Sequence, residues 1–308
     1  MKRILVITIA MLLLFCSCKK PPDTPPDDGQ VINTGKTETY IVTGMNAELS
    51  IQGRENPWGN SRFEDEDAVK EKSVEILGAT YAGTYERSYI NEYHSYVTEY
   101  YWTEDRIEFG FKAGTEELVH LNVMNSAFFD TEPLLQEKEA PRDYAVEKAT
   151  EIATLWIDPT AYEVEVEVKD TTSLIEDVEY AWSYYHVTFI KYINGLKTTD
   201  FITVRITSKG NLASLVVGDL GAFDEFEKAD CTPTAVDNSI QAAMQKLQED
   251  GNRENQAHEL KEQIVALTPD GEFVVCSTLS VTYRDAQEKK NYKGGVHIIT
   301  KFGERAAE

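Results

Sequence analysis

The sequence is poor in the residues and motifs that carry most enzyme chemistry. It contains 4 cysteines and 5 histidines, and no two histidines lie at the spacing of metal ligands. His258-Glu259 lacks the second histidine of a zinc-protease helix, and neither a phosphate-binding loop nor a nucleophile elbow is present. We therefore predict a protein that is not an enzyme, with no catalytic residues, no metal site and no cofactor. A hydrolase that uses a carboxylate pair stays open as an alternative, because such a pair leaves no local signature.

Positive charge is also scarce. The chain has 30 lysines and arginines against 53 acidic residues, which gives a formal net charge of −23. Nucleic acids and anionic lipid headgroups repel such a surface, so we predict no nucleic-acid partner. One acidic cluster lacks the spacing of a calcium-binding EF-hand loop and is interpreted as a solvated linker. Its members are Asp219, Asp224, Glu225, Glu227 and Asp230.

Residues 1–17 have the features of a signal peptide. Lys2 and Arg3 form a basic start, and the apolar run that follows is too short to span a bilayer comfortably. Ser17 stands immediately before Cys18, as in bacterial lipoprotein signal peptides. We predict that Cys18 is the lipid-modified N-terminus of a protein anchored on the extracytoplasmic face of the cell membrane. The alternatives are an ordinary signal peptide cleaved nearby and a retained transmembrane anchor.

Residues 18–35 are predicted to form a disordered tether. After Cys18 this segment contains four prolines, three aspartates and almost no apolar residue. Such a composition cannot bury enough apolar surface to offset the entropy lost on ordering. The prolines favour an extended spacer between the membrane and the folded part of the chain.

The stretch from Tyr180 to Gly218 predicts a three-stranded antiparallel meander. Its three runs alternate apolar and polar residues, as expected of strands with one buried face. Asn194-Gly195 separates the first two runs and is the strongest short signal of a hairpin, because the turn needs positive φ at both residues. Lys209-Gly210 supplies the second turn. A helix is predicted after Pro141, and residues 162–168 form a strand between that helix and the meander.

The aromatic, turn and strand residues of this region follow one pattern, set by Trp182, His186, Val187, Phe189, Asn194, Gly195, Leu196, Asp200, Ile202, Val204, Ile206, Gly210 and Leu212. With the helix and strand before it, this pattern resembles the PepSY-type module. Such modules occur in propeptides of secreted thermolysin-like proteases, in spore-germination proteins and in lipoproteins of Gram-positive bacteria. The resemblance covers residues 143–220. It implies helices packed on antiparallel sheet and, as a partner, a secreted peptidase or another envelope protein.

A first module of the same kind is predicted at residues 36–130. The acidic residues 64–67 suit the start of a helix, which is predicted to continue to Gly78. Strands are predicted over residues 84–89, 97–111 and 118–123.

A third module is predicted at residues 231–308. Thr232-Pro233 begins its helix, with threonine as the N-cap. Residues 258–267 and 273–283 form a hairpin, and a last strand follows. With the central module at residues 140–220, the expected fold class is α+β, built from three tandem PepSY-like units of helix, strand and hairpin.

An aromatic run in the first module is a candidate binding surface. Tyr96, Tyr100 and Trp102 lie in it beside acidic residues, a combination that suits stacking against sugars and other ligands. The alternative is a half-exposed hairpin whose aromatic rings cover the sheet.

Two cysteines remain beside Cys18 and the signal-peptide residue Cys16. An extracytoplasmic protein can form a disulfide between Cys231 and Cys276, which would join the third helix to the last hairpin. Two separate thiols are the alternative.

These features predict a membrane-anchored extracytoplasmic lipoprotein that acts as a non-enzymatic binding or protease-restraining module. The alternative is a lipoprotein of the cell envelope that binds a small ligand such as a peptide, a sugar or a cation. A pocket lined by convergent polar groups would favour the small ligand. Exposed sheet edges would favour a protein partner, because an edge can accept a further strand.

Overall fold

The computed structural model describes residues 31–43, 50–51, 58, 62–76, 78–91, 93–123, 142–175, 178–207, 210–224 and 232–301. Within these residues, fifteen strands form one hydrogen-bonded sheet and two α-helices lie against it. The predicted fold class, α+β with three tandem helix-and-hairpin units, is wrong. Strands from all three predicted units pair with one another, so no unit keeps a sheet of its own.

The first group of strands, here called the first sub-sheet, is antiparallel throughout. Its order is β9-β10-β11-β12-β8-β7-β6-β5, and β3 and β4 also pair with β5. The strands are β3 Arg62–Phe63, β4 Glu71–Ile76, β5 Ala79–Ile90, β6 Val97–Trp102, β7 Ile107–Lys112, β8 Leu118–Val123, β9 Glu163–Ile175, β10 Val178–Ile193, β11 Leu196–Thr207 and β12 Leu212–Val217.

The second sub-sheet has the order β2-β1-β15-β14-β13. Its outer long strand comes from the start of the described chain and runs parallel to the last strand. The strands are β1 Val31–Thr43, β2 Ser50–Ile51, β13 Arg253–Leu267, β14 Phe273–Asp285 and β15 Asn291–Lys301.

Strand β11 joins the two sub-sheets. One of its edges pairs with β10. The other edge is shared, because residues 202–206 pair with β12 while residues 197–198 pair in parallel with β13. The chain leaving β12 stays bonded to β11, through Gly218 N to Phe201 O at 2.8 Å and Asp219 N to Thr199 O at 2.7 Å. The two sub-sheets therefore separate along β11. This branch point, where residues 197–206 of β11 meet β12, β13 and the chain at Gly218 and Asp219, is called the fork below.

Helix α1, Arg142–Ala153, covers the first sub-sheet. Its buried positions are small apart from one isoleucine, which lets the helix approach the strands closely. Trp156, just beyond the helix, donates its indole N–H to Leu118 O at 3.1 Å. The buried helix residues are Ala145, Ala149, Ile152 and Ala153, and they share a core with Phe109, Leu121, Val187, Phe189, Ile202, Val204 and Leu215.

Helix α2, Pro233–Asp250, covers the second sub-sheet, and its predicted start is confirmed. The Thr232 hydroxyl accepts a hydrogen bond from Ala235 N at 3.2 Å, and a proline opens the first turn. The apolar face of this helix is buried against the strands. It consists of Val236, Ile240, Ala243, Met244 and Leu247, packed with Val265, Val275 and Ile298.

The predicted central meander is confirmed in its strands and its first turn. Asn194 and Gly195 both have positive φ, 51° and 81°, and β10 and β11 pair on either side of them. Two predictions for the first module are wrong. Residues 71–76 form strand β4 instead of helix, and the predicted long strand over residues 97–111 is two strands separated by a turn at residues 103–106.

Candidate functional site

A cavity lies where hairpin β4–β5 extends past the end of β6. Its volume is about 770 Å³, within the range of small-molecule sites. One wall is the paired backbone of β4 and β5, and the other is the end of β6 with the turn that follows. The lining side chains used below are Glu71, Tyr81, Thr84, Trp102, Glu104 and Asp105.

Trp102 forms the aromatic part of the cavity. It ends β6, opposite Thr84 of β5 and Glu108 of β7, and it is only half-buried. Its indole Nε1 is shielded from bulk solvent and finds no hydrogen-bond partner among the described residues. A buried donor without an acceptor costs free energy, so the indole of Trp102 sits in a position that the described fold leaves unsatisfied.

Among the described residues that line the cavity there is one lysine, Lys72, and it does not present its charge there. Lys72 Nζ donates to Thr115 O at 2.8 Å and lies 3.8 Å from Glu99 and 3.6 Å from Glu116. It also stands 4.6 Å from the centre of the Phe111 ring. The ammonium is therefore held by the protein on the core side of β4.

Three carboxylates surround the cavity without a compensating cation. Glu71, Glu104 and Asp105 are exposed, and no ion pair joins them to a basic residue within the part of the chain that the structure describes. The turn that carries two of them is fixed by Thr103, whose hydroxyl accepts from Ile107 N at 3.0 Å. The mouth of the cavity is therefore negative and its interior aromatic.

Gly83 lets β5 run close beneath the cavity. A Cβ at this position would lie 2.8 Å from Phe109 Cε1 and 2.9 Å from the carbonyl oxygen of Trp102. Cβ atoms essentially never lie this close to non-bonded atoms, so a side chain here would push β5 away from β6 and reshape the wall.

A charged network on β7 supports the same region. Glu108 accepts from Arg87 Nη2 at 2.7 Å and is bonded to His120 Nε2 at 3.0 Å. Burial alone would raise the pKa of Glu108, but the bonds from His120 and Arg87 outweigh burial and lower it. The Arg87 guanidinium in turn lies 4.5 Å from the centre of the Tyr100 ring. These contacts fix the strand beside Trp102.

Of the three candidate binding aromatics, only Trp102 reaches the cavity. Tyr96 is buried and donates its hydroxyl to Val217 O at 2.6 Å, and burial raises the pKa of that hydroxyl. Tyr100 is also buried and exchanges hydrogen bonds with Asn91. Sequence reasoning missed Glu71, Glu104, Asp105 and Tyr81, because they come together only when β5 pairs with both β4 and β6.

A second, smaller cavity of about 290 Å³ is lined by residues of β1, β13, β14 and β15. Its arginine, Arg253, is ion-paired with Glu38 and stacks 4.0 Å from the centre of the Tyr283 ring. Because the Arg253 guanidinium already has two partners, it is less available to bind a ligand in this cavity.

The acidic cluster near the fork is used internally. Asp219 accepts from Ser95 N at 3.1 Å and from Thr199 Oγ1 at 2.8 Å, and Asp224 binds Lys191 at 2.6 Å. Glu225, Glu227 and Asp230 lie outside the described residues. Among the residues that the structure describes, no group of three or more histidine, cysteine or acidic side chains is placed to hold a metal ion.

Several predicted features cannot be placed in this structure. Cys18, the signal peptide and the tether up to Gln30 lie outside the described residues. Cys276 is buried in β14, but Cys231 is not described, so their disulfide stays a prediction. Within the described ranges, none of the helices is long and apolar enough to cross a membrane.

Comparison of the chain with protein-family models, with curated proteins and with solved structures finds no match.

Proposed function

We propose that this protein is a membrane-anchored, extracytoplasmic lipoprotein that binds a small ligand without transforming it. The observation that carries the proposal is the cavity of about 770 Å³ beside Trp102, whose indole N–H lacks a partner among the described residues. The signal-peptide sequence and Cys18 support a location on the outer face of the membrane. A lipid anchor there would leave the folded body free to meet ligands of the cell envelope.

The lining of the cavity favours a sugar that carries amino groups. An aromatic face with neighbouring hydroxyls suits a hydroxyl-rich ring. The carboxylates of Glu71, Glu104 and Asp105 would attract positive charge, and Lys72, the basic residue among the described lining residues, is engaged elsewhere. An amino sugar satisfies both parts of the cavity, whereas an anionic sugar would be repelled.

The experiment is a thermal-shift and calorimetric titration with a glucosamine trisaccharide, its N-acetylated counterpart, short peptides and calcium chloride. We expect the glucosamine trisaccharide to raise the melting temperature most, and to bind at least about tenfold more weakly when the carboxylates of the turn are removed by Glu104→Gln and Asp105→Asn together. Trp102→Ala should also abolish binding.

A matched control is Asp270→Asn, which removes an exposed carboxylate from the turn of the β13–β14 hairpin. It should leave binding unchanged. Equal binding of all probes, or binding that Trp102→Ala and the double turn variant leave intact, would contradict the proposal. Binding of calcium alone would replace the sugar by a cation as the ligand.

Restraint of a secreted peptidase is the second candidate function. It came from the PepSY resemblance, and the tandem modules which that resemblance implied are absent from the described fold. What favours a protein partner now is a different feature, an exposed strand at the edge of the first sub-sheet.

A further inference from the structure

Strand β9 is an edge strand with an unusually regular backbone. It pairs with β10 over all thirteen of its residues without a register shift, and with no other strand among the residues described. Natural proteins usually protect such edges with charged side chains, lysine above all, with proline or with a bulge. The charges of residues 163–168 are all negative, so they oppose the addition of an acidic strand and not of a basic one. Residues 163–168 contain neither proline nor lysine, and Lys169 is the first basic residue of the strand.

The two faces of β9 differ in chemistry. Val164, Val166 and Val168 lie on the face that continues the core, opposite Phe189, Val187 and Tyr185 of β10. Val166 packs against that core, but Val164 and Val168 remain 45% and 46% exposed. Apolar surface left open on both sides of a packed residue would be buried if another strand were added.

The opposite face of β9 is acidic. Glu163 and Glu167 are exposed, while Glu165 is held by Lys197 at 2.6 Å. Lys169 lies 3.2 Å from Glu167 and neutralises part of this charge. A strand added to β9 would thus meet valines on one face and glutamates on the other.

We propose that β9 is a docking edge for a protein partner that adds an extended strand of alternating basic and apolar residues. The basic side chains would oppose Glu163 and Glu167, and the apolar side chains would cover Val164 and Val168. Opposite charges directly across a strand pair are stabilising and like charges are destabilising. The net charge of −23 would also speed the approach of a basic segment.

A second copy of this chain is a poorer occupant. The antiparallel register that sets all three valines opposite valines would set Glu163 opposite Lys169 twice, but also Glu165 opposite Glu167 twice. A basic strand would replace these two repulsive pairs by attractive ones. A parallel pairing in register would place every glutamate opposite its own copy. The partner strand is therefore expected to be basic rather than another β9.

The test uses the purified protein and a synthetic peptide of alternating lysine and valine. A peptide of the same composition with lysines and valines in two separate blocks controls for attraction by net charge alone. We expect the alternating peptide to bind at least about tenfold more tightly than the block peptide. Hydrogen exchange should show new protection of the backbone amides of residues 163–169.

The charge-reversing double variant Glu163→Lys and Glu167→Lys should weaken binding of the alternating peptide by about tenfold or more. The matched control is Glu254→Lys with Glu259→Lys, which makes the same charge change on β13. Equal binding of both peptides, an equal effect of both variants, or protection away from β9 would overturn the proposal. Sedimentation that shows a dimer broken by the β9 variant would assign the edge to a second copy instead.

Discussion

Lys191 Nζ lies 3.1 Å from Oδ2 of Asp200, a carboxylate whose side chain has no exposure to solvent. The same carboxylate accepts from the Tyr162 hydroxyl at 2.7 Å and from Gly221 N at 2.9 Å. Asp200 belongs to β11, and its three donors come from β10, from the approach to β9 and from the chain after β12. The carboxylate therefore ties four segments together at the fork between the two sub-sheets.

Lys191→Met is expected to destabilise the protein by about 1–3 kcal/mol, because it leaves a buried carboxylate without its cation. Burial lowers the pKa of Lys191, but its bonds to Asp224 and Asp200 outweigh burial and raise it. Urea unfolding measures the loss. The control Lys148→Met removes an exposed pair with Glu151 on α1 and should have no measurable effect. Equal stability of Lys191→Met and the wild type would show that the pair does not hold the fork.

Gly218→Ala tests the close approach at the same fork. A Cβ on Gly218 would lie 2.0 Å from Thr199 O and 2.9 Å from Phe201 Cδ1. We expect a loss of about 2–4 kcal/mol in the free energy of unfolding, since backbone atoms must move apart. The control is Gly271→Ala in the turn of the β13–β14 hairpin. A Cβ there would meet no atom within 4 Å, but φ is +84°. Its loss in the free energy of unfolding should therefore be smaller and should come from backbone strain alone. A larger loss at Gly271 would be evidence against this packing.

His94 predicts loss of stability in mild acid. Its ring is buried beside Tyr96 and Phe201, and burial lowers its pKa although Asp219 partly opposes this. Because the folded pKa lies below the unfolded value of about 6.5, the unfolded state binds the proton first. The free energy of unfolding should therefore be intact above about pH 6.5 and decrease as the pH falls below that value.

His94→Phe should reduce this pH dependence, measured by urea unfolding between about pH 7.5 and pH 5.5. His258→Gln, which changes an exposed histidine of β13, should retain the wild-type slope. The same slope in His94→Phe as in the wild type would assign the acid sensitivity to other groups.

The anchor prediction rests on Cys18. Metabolic labelling with an alkyne-tagged fatty acid should label the wild type and not Cys18→Ser. In detergent phase partitioning, the wild type should enter the detergent phase and the variant should remain in the aqueous phase. Cys16→Ser changes a cysteine within the predicted signal peptide and should keep the label. Labelling of Cys18→Ser, or a mature N-terminus other than residue 18, would contradict the prediction.

The local elements that could be predicted from the sequence are those fixed by near neighbours. Thr232-Pro233 sets the start of α2, and Asn194-Gly195 supplies the two positive φ values of the β10–β11 hairpin. The turn after β6 was missed because its positive φ falls on Arg106, at 59°, where no glycine or asparagine announces it. The acidic residues 64–67 predict a helix that would include residues 71–76, although Val74 and Ile76 alternate with polar residues as a strand requires.

The pairing of distant strands could not be predicted in the same way. The parallel contacts of β1 with β15 and of β11 with β13 join segments that are far apart in sequence, and no turn residue specifies them. The cavity depends instead on the local meander β4-β5-β6, whose register brings Trp102 of β6 near Glu71 of β4. The aromatic run in the sequence indicated Trp102 as a candidate ligand-binding residue. Its neighbours in the cavity follow only from the register of β5 with β4 and β6.

The most direct test of ligand binding at this cavity is fluorine NMR of the protein labelled with 5-fluorotryptophan. The chain has 4 tryptophans, and Trp102→Phe identifies the signal of Trp102. Trp58, buried against the second sub-sheet, provides an internal reference. We predict that the glucosamine trisaccharide shifts the Trp102 signal in a saturable way and leaves the Trp58 signal unchanged. An unchanged Trp102 signal at concentrations where calorimetry detects binding would contradict the assignment of the cavity as the ligand site.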